Sequence, residues 1–327
     1  MPASPSAAAL PPLPELVERL RASPAWQRKR ELTLLSRGEL RLEADVGDDA
    51  IALPDGDGYL LLAAEVMWPP MVAAEPELAG RNAVLVNAND IYAMGGRPIA
   101  LLDTLVATGL AEAEAVLRGV AAGAARYGIP VVGGHLTAAG GVTSLAAFIA
   151  GRARRLLSGR AAVPGDALLL LTGPRGRFHA RFPFWDCSGE RSDEELRADL
   201  ELLPAIAEAG LCDAARDVSM PGLLGSALQF LEGSGVGAAI DLAALPYPPE
   251  SEGRELDWLL AFPGYGFLLA VEERHVDAVA ERAAARGRVC RRIGRVTAER
   301  RVTVGRDGEH ALLWDLGREP FTGFGPA

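Results

Sequence analysis

Asp90 lies in the stretch NANDIYAMGG, Asn87 to Gly96, whose neighbours Val84, Leu85, Val86, Ile91 and Met94 mark a largely buried helix. A buried carboxylate costs several kcal/mol unless a cation or hydrogen-bond donors face it. Asn87 precedes it by three residues and so shares its helix face. Two readings stand for Asp90: an acid that caps a loop or pairs with arginine, or a ligand to a metal ion. A second pair, Asp48 and Asp49 in GDDAIAL, stands at the mouth of an expected strand, where adjacent side chains point to opposite faces. It fits an exposed turn, and it also fits a hard-cation site, because Mg²⁺ takes a few carboxylates together with substrate phosphates.

Two glycine loops follow strands. VVGGHLTAAGG contains Gly133, Gly134 and His135, and LLLLTGPRG contains Thr172 and Gly173. Such loops can present backbone amides to phosphate, and each also fits a plain turn. In RGRFHARFPFWDC, an extended chain would put Arg175, Arg177, His179 and Arg181 on one side. Arginine forks suit phosphate or carboxylate, so an acidic substrate group could dock there; the alternative is a solvated loop whose aromatics pack on the domain. Cys187, beside Asp186, reads as a nucleophile or as inert packing.

The elements that must position these residues begin with the size of the chain. Its 327 residues favour two domains, and a hydrophobic content of 49% implies a large buried core. A net charge of -10 argues against nucleic acid or an anionic membrane as partner. Anionic small molecules stay open, because a metal can carry the local positive charge. Lys29 is the only lysine among 33 basic residues. A P-loop and a protein-kinase site both need a lysine on the phosphates, so any nucleotide must be held by metal, backbone amides and arginine. The three cysteines have no paired spacing, which indicates neither a disulfide framework nor a zinc site. No apolar run reaches membrane-spanning length and the first residues lack a secretory pattern, so a cytoplasmic protein is expected.

Residues 1–12 read as a mobile arm and residues 1–44 as arm plus short helices, with Ser23 as N-cap and Pro24 at the first helical position. Residues 45–155 alternate strands and helices: two strands around PDGDG, a helix over 77–94, the strand RPIALLDTLVAT, a helix ending at Gly128, and two more strands. A second α/β domain is expected over 160–327. It opens with ALLLLTG, carries one helix from a capping box at Ser192–Glu195 to about residue 210, and has further helices near 220–232 and 274–287.

In order, GDDA, NANDIYAMGGRP, GGHLT, PGDALLLLTGPRG and ARDVSMPGLLGSALQFLEGSGVGAAIDL resemble the AIR synthase (PurM-like) superfamily over about residues 45–320. That group includes thiamine-monophosphate kinase, selenophosphate synthetase, the hydrogenase maturation factor HypE and phosphoribosylformylglycinamidine synthase. The resemblance implies an α/β (α+β) two-domain fold whose N-terminal domains pair in a homodimer to close a β-barrel, with ATP and Mg²⁺ bound. It implies that Asp48, Asp49 and Asp90 bind metal and nucleotide, with Asn87 beside them and Gly133–Gly134 as the glycine loop. Glu65 stands where many relatives have aspartate, and Asp217 matches the first acid of a second-domain motif, D-x-S-D-G-L. Met220 replaces that motif's second acid, and FPGYGFLLA lacks the acids of G-G-E-D-Y-E-L, which points away from thiamine-monophosphate kinase. The carrier cysteines of the selenium and hydrogenase enzymes also have no counterpart.

The leading expectation is an ATP- and Mg²⁺-dependent enzyme that transfers phosphoryl groups, or activates an oxygen with phosphate, on a small and anionic substrate. Asp48, Asp49, Asp90 and Glu65 would hold metal, and amides around Gly133–Gly134 and Thr172–Gly173 would cradle phosphate. Asp217 and His135 are the candidates for proton transfer, and Arg175, Arg177 and Arg181 for the substrate. The competing expectation is a nucleotide-binding scaffold or maturation partner without turnover. A third is that the acids are structural and no nucleotide binds.

Overall fold

A computed structural model of the chain describes residues 10–37, 46–188 and 191–326. Most of the expected arm, residues 1–9, lies outside the described residues. Leu10 and Pro11 are held by Arg306, whose guanidinium donates to both of their carbonyls at 3.2 and 2.8 Å. Helices α1 (Leu13–Arg21), α2 (Pro24–Arg30) and α3 (Thr33–Arg37) follow. Helix α2 starts as its sequence dictates, with the Ser23 hydroxyl accepting from the Trp26 amide and Pro24 in the first turn.

The chain divides into two compact units. One comprises Asp49–Leu156 and Glu190–Ala209, the other Met1–Asp48, Leu157–Gly189 and Gly210–Ala327.

In the first unit, β1 (Ile51–Asp55), β2 (Gly58–Val66), α4 (Pro69–Ala74), α5 (Pro76–Ala93), β3 (Arg97–Val106), α6 (Leu110–Tyr127), β4 (Val131–Thr137) and β5 (Ser144–Ala153) form a five-stranded sheet with helices on one face. The order is β1-β2-β5-β3-β4; β3 and β4 run parallel, and the other neighbours antiparallel. Alternate residues of β5, Leu145, Ala147 and Ile149, are buried beneath the helices. Helices α5 and α6 approach through glycine: a Cβ on Gly119 would lie 2.0 Å from the Glu77 carbonyl oxygen, and one on Gly80 2.2 Å from that of Val116. Helix α5 stops at Gly95, whose φ of +73° only glycine adopts cheaply. The amides of Gly95 and Gly96 then bond back to the carbonyls of Tyr92 and Ile91, both at 2.9 Å, closing the last turn.

Two helices from later in the chain, α7 (Asp193–Leu200) and α8 (Leu202–Glu208), complete this unit. Arg197 donates to the Ala125 and Arg126 carbonyls at the end of α6, and Arg97 pairs with Glu201 and Glu208, each at 2.7 Å. The capping box at Ser192–Glu195 is formed. The single helix expected here breaks at Glu201, because Pro204 has no N–H to give the Leu200 carbonyl.

The second unit is built on a seven-stranded sheet, whose elements in chain order are β6 (Ala167–Thr172), β7 (Arg177–Phe178), β8 (Phe184–Asp186), β9 (Ala214–Asp217), α9 (Gly222–Ser234), β10 (Gly237–Asp241), α10 (Glu255–Leu260), β11 (Phe262–Pro263), β12 (Gly266–Val271), α11 (Val276–Ala284), β13 (Val289–Thr297), β14 (Arg301–Arg306) and β15 (Glu309–Asp315). The order is β15-β14-β10-β13-β6-β12-β9, while β11-β8-β7 form a small separate sheet. Strand β6 is buried along its whole length, as its apolar run predicts. Trp26, Trp314 and Phe321 pack edge to face at centroid separations of 5.4–6.0 Å and seat the N-terminal helices on this unit.

Candidate functional site

In the first unit the acid of α5 is where its neighbours predict. Asp90 is 6% exposed, and a carboxylate oxygen of Asp49, which enters β1, lies within 4.8 Å of one of its own. Helix α5 carries an unusual string of buried polar side chains on the way: Asn82, Asn87, Asn89 and Asp90. Asn87 is fully buried and spends its Nδ2 on the Ala83 carbonyl at 2.8 Å. Among the described residues its Oδ1 and that of Asn89 have no hydrogen-bond partner. Buried acceptors cost about 1–3 kcal/mol each when unsatisfied, so this end of α5 carries polar atoms that packing alone does not explain.

Ligands of an octahedral Mg²⁺ at about 2.1 Å lie roughly 3–4 Å from each other. The Asp49–Asp90 approach fits one shared ion. Glu65, offered as a further ligand, is exposed on β2 opposite Ala147. On β4, Gly133, Gly134 and His135 are exposed and pair with Leu102, Asp103 and Thr104 of β3.

Gly134 has a packing reason as well. A Cβ there would lie 2.5 Å from the Asp103 Oδ1 and 2.6 Å from its carbonyl oxygen. Asp103 is an acid the sequence reading passed over. It stands on the buried face of β3 between Leu101 and Leu105, and burial raises its carboxyl above the ordinary range, with its own backbone opposing. The signal was present: one acid in an otherwise apolar strand, IALLDTLV.

In the second unit the Asp48 carboxylate is hydrogen-bonded through both oxygens. Its Oδ2 accepts from the Ser158 hydroxyl at 2.5 Å and its Oδ1 from the Gly159 amide at 2.8 Å. It ties the segment entering Asp49 to the loop after β5. Asp217 is buried at the end of β9, paired with Phe267 in the sheet. Thr172 is buried at the end of β6 and turns its hydroxyl inward, donating to the Tyr265 carbonyl at 3.2 Å, so that hydroxyl is not offered to a phosphate. Gly173 is needed for close packing, since a Cβ would meet Cys187 Cβ at 2.7 Å and Arg288 Nη1 at 3.0 Å.

The arginine stretch does not stay extended. Between Arg175 and Arg181 only Arg177–Phe178 is strand, and the chain then turns, with the His179 Nδ1 accepting from the Arg181 and Phe182 amides and its ring stacked on Phe182. The period-two row of four side chains is therefore broken after Arg177. Arg175 and Arg177 project into solvent, each anchored at one edge, to Glu250 at 2.9 Å and Asp186 at 3.4 Å. Cys187 is buried, and burial pushes its thiol up to about 11, which favours the packing reading over the nucleophile.

Comparison with known proteins adds the following. The family model for AIR synthase related protein, N-terminal domain, matches residues 47–153, and that for the C-terminal domain matches residues 163–307. An uncharacterized protein of Synechocystis sp. is 40% identical over 319 residues, 95% of this chain and 98% of that protein. Thiamine-monophosphate kinase of Mycobacterium tuberculosis is 34% identical over 216 residues, 61% of this chain and 63% of that enzyme. The solved structure of T. maritima PurL complexed with ATP shares the fold, with a TM-score of 0.72 at 18% identity, covering 96% of this chain and 52% of that one.

Proposed function

The chain belongs to the AIR synthase related family, and from that premise we propose that it uses ATP and Mg²⁺ to transfer or activate a phosphoryl group on a small anionic acceptor. The observation that carries this reading is the Asp49–Asp90 pair, two carboxylates within 4.8 Å at the end of a buried polar string. Two such charges repel, and a cation bound to both would relieve that repulsion. Asp49 and Asp90 are the proposed ligands, with Glu65 as a longer-reach helper. Asp48 is the anchor that fixes the entry to Asp49. Bound Mg²⁺ would supply neutralisation of phosphate charge.

The protein's own contribution is positioning and exclusion of water. Backbone amides at Gly133–Gly134 and Thr172–Gly173 are proposed to face phosphate, in a chain whose only lysine is Lys29. Asp217 and His135 are the proposed proton-transfer groups. Arg175, Arg177 and Arg181 are the proposed contacts for an acidic acceptor group, and the first two present guanidinium edges to solvent.

A homodimer is part of the proposal. Leu62, Val66, Leu102 and Phe148 share the sheet face opposite the helices, with Leu102 directly across from Phe148, and all four are exposed. A second copy covering this face would remove it from water and close the barrel the family resemblance implies. Among the described residues no helix is long and apolar enough to cross a membrane.

A nucleotide-binding scaffold without turnover is the competing reading, and Met220 in place of an acid favours it. Incubation of the protein with Mg·ATP and a panel of phosphorylated and carboxylated acceptors separates the two. The enzyme reading predicts acceptor-dependent release of ADP or AMP; binding without release across the panel leaves the scaffold.

A further inference from the structure

We infer that the segment Phe321–Pro326 is a strap that sets the conformation of the Val46–Asp48 loop, which makes Glu232, Arg160 and Phe324 positioning residues for cation binding at Asp49. This rests on the reading of Asp49 given above.

The strap is anchored on one buried carboxylate. Glu232 of α9 is 2% exposed, and its oxygens accept from four donors: the amides of Phe321, Thr322 and Gly323 at 2.7, 2.7 and 3.2 Å and the Thr322 hydroxyl at 2.5 Å. Successive amides converging on one buried acid form a rigid cradle. Phe321 is buried against Trp26 and Trp314. Arg300 reaches the Pro326 carbonyl at 3.4 Å. The segment is therefore pinned along its length.

Between these pins, Phe324 bears directly on the acid loop. A Cβ on Gly47 would lie 2.4 Å from Phe324 Cβ, and Gly47 holds φ of +101°, a conformation open to glycine. One nitrogen of Arg160 joins strap and loop, Nη1 donating to the Phe324 carbonyl at 3.0 Å and to the Val46 carbonyl at 2.9 Å. The Gly47 carbonyl accepts from Arg216 at 2.9 Å, and the Asp48 carboxylate is bonded to Ser158 and Gly159. Each polar handle named on Val46, Gly47 and Asp48 is thus engaged immediately before Asp49. Asp49 follows this held loop directly in sequence, so the backbone that leads into it starts from a fixed point. Strap seating and cation binding at Asp49 are then linked, and linkage is reciprocal.

Two measurements test this. In the unmodified protein, Mg·ATP should slow hydrogen exchange of the Thr322, Gly323 and Gly325 amides by about fivefold or more, the low end of coupling between linked sites. By calorimetry, Phe324→Ala should weaken Mg·ATP binding by a similar factor with the melting temperature little changed, and Phe324→Leu should restore it. Unchanged exchange, together with wild-type affinity in a folded Phe324→Ala protein, overturns the strap while leaving the cation reading intact. A wild-type protein that binds no Mg·ATP overturns the cation reading and the strap's role with it.

Discussion

Replacing Asp90 with asparagine separates a ligand from a structural acid, because the two roles move stability in opposite directions. Two carboxylates with oxygens within 4.8 Å of each other repel by about 3 kcal/mol or more at an effective dielectric of about 20, and less once solvent screens the half-buried Asp49. Asp90→Asn keeps the shape and removes one charge, so the protein without ligand should melt at the wild-type temperature or slightly above. Wild-type protein with Mg·ATP at a hundred times its Kd should gain about 2.7 kcal/mol, a rise of roughly 4 °C for a chain of this size. In Asp90→Asn that rise should nearly vanish. Differential scanning calorimetry with and without Mg·ATP reads both quantities. A variant that melts several degrees lower without ligand, yet keeps its full ligand-induced rise, would refute the reasoning and mark Asp90 as a structural acid.

Four further outcomes are expected. Gly134→Ala places a methyl 2.5 Å from the Asp103 carboxylate and should destabilise by about 1–3 kcal/mol, read by chemical denaturation. Burial raises the Asp103 carboxyl, so the stability it contributes is complete below its unfolded pKa of about 3.9 and is lost as pH rises through the higher folded value; Asp103→Asn should therefore gain melting temperature relative to wild type between pH 4 and pH 7. Burial pushes the thiols of Cys187 and Cys212 up to about 11 and 12, so a thiol reagent at pH 7.5 should label neither in the native protein and both after unfolding. Phe148→Glu, on the exposed apolar sheet face, should convert a dimer to a monomer in light scattering, and a monomeric wild type would remove the dimer from the proposal.

The parts of the fold legible in the sequence were those with local causes. Ser23 with Pro24, the Ser192–Glu195 box and Gly128 are statements about one helix end each, and each end forms as written. Less was legible where the cause is distant. The four-residue β9 and the strand β15 owe their existence to neighbours in the sheet. The arginine stretch turns at His179 because a side-chain nitrogen captures two amides, which an alternation rule does not anticipate. Assignment of α7 and α8 to the unit of α5 and α6 depends on Arg97 and Arg197, whose partners lie about seventy to over a hundred residues away.

The candidate site divides in the same way. Asp90 could be singled out because a charge among apolar residues is visible in one dimension. Asp48 and Asp49 are chemically identical in sequence, and only the Ser158–Gly159 loop, more than a hundred residues on, distinguishes the tied acid from its neighbour. Asp103 lay in plain sight within a strand, and its importance emerged only once Gly134 was found against it.

The central claim is that Asp49 and Asp90 share one divalent ion. Anomalous diffraction from crystals grown with Mn²⁺ and a non-hydrolysable ATP analogue tests it most directly. The account predicts an Mn²⁺ peak about 2.2 Å from a carboxylate oxygen of each residue. An ordered analogue with Mn²⁺ bound elsewhere, and both acids turned to other partners, would contradict it.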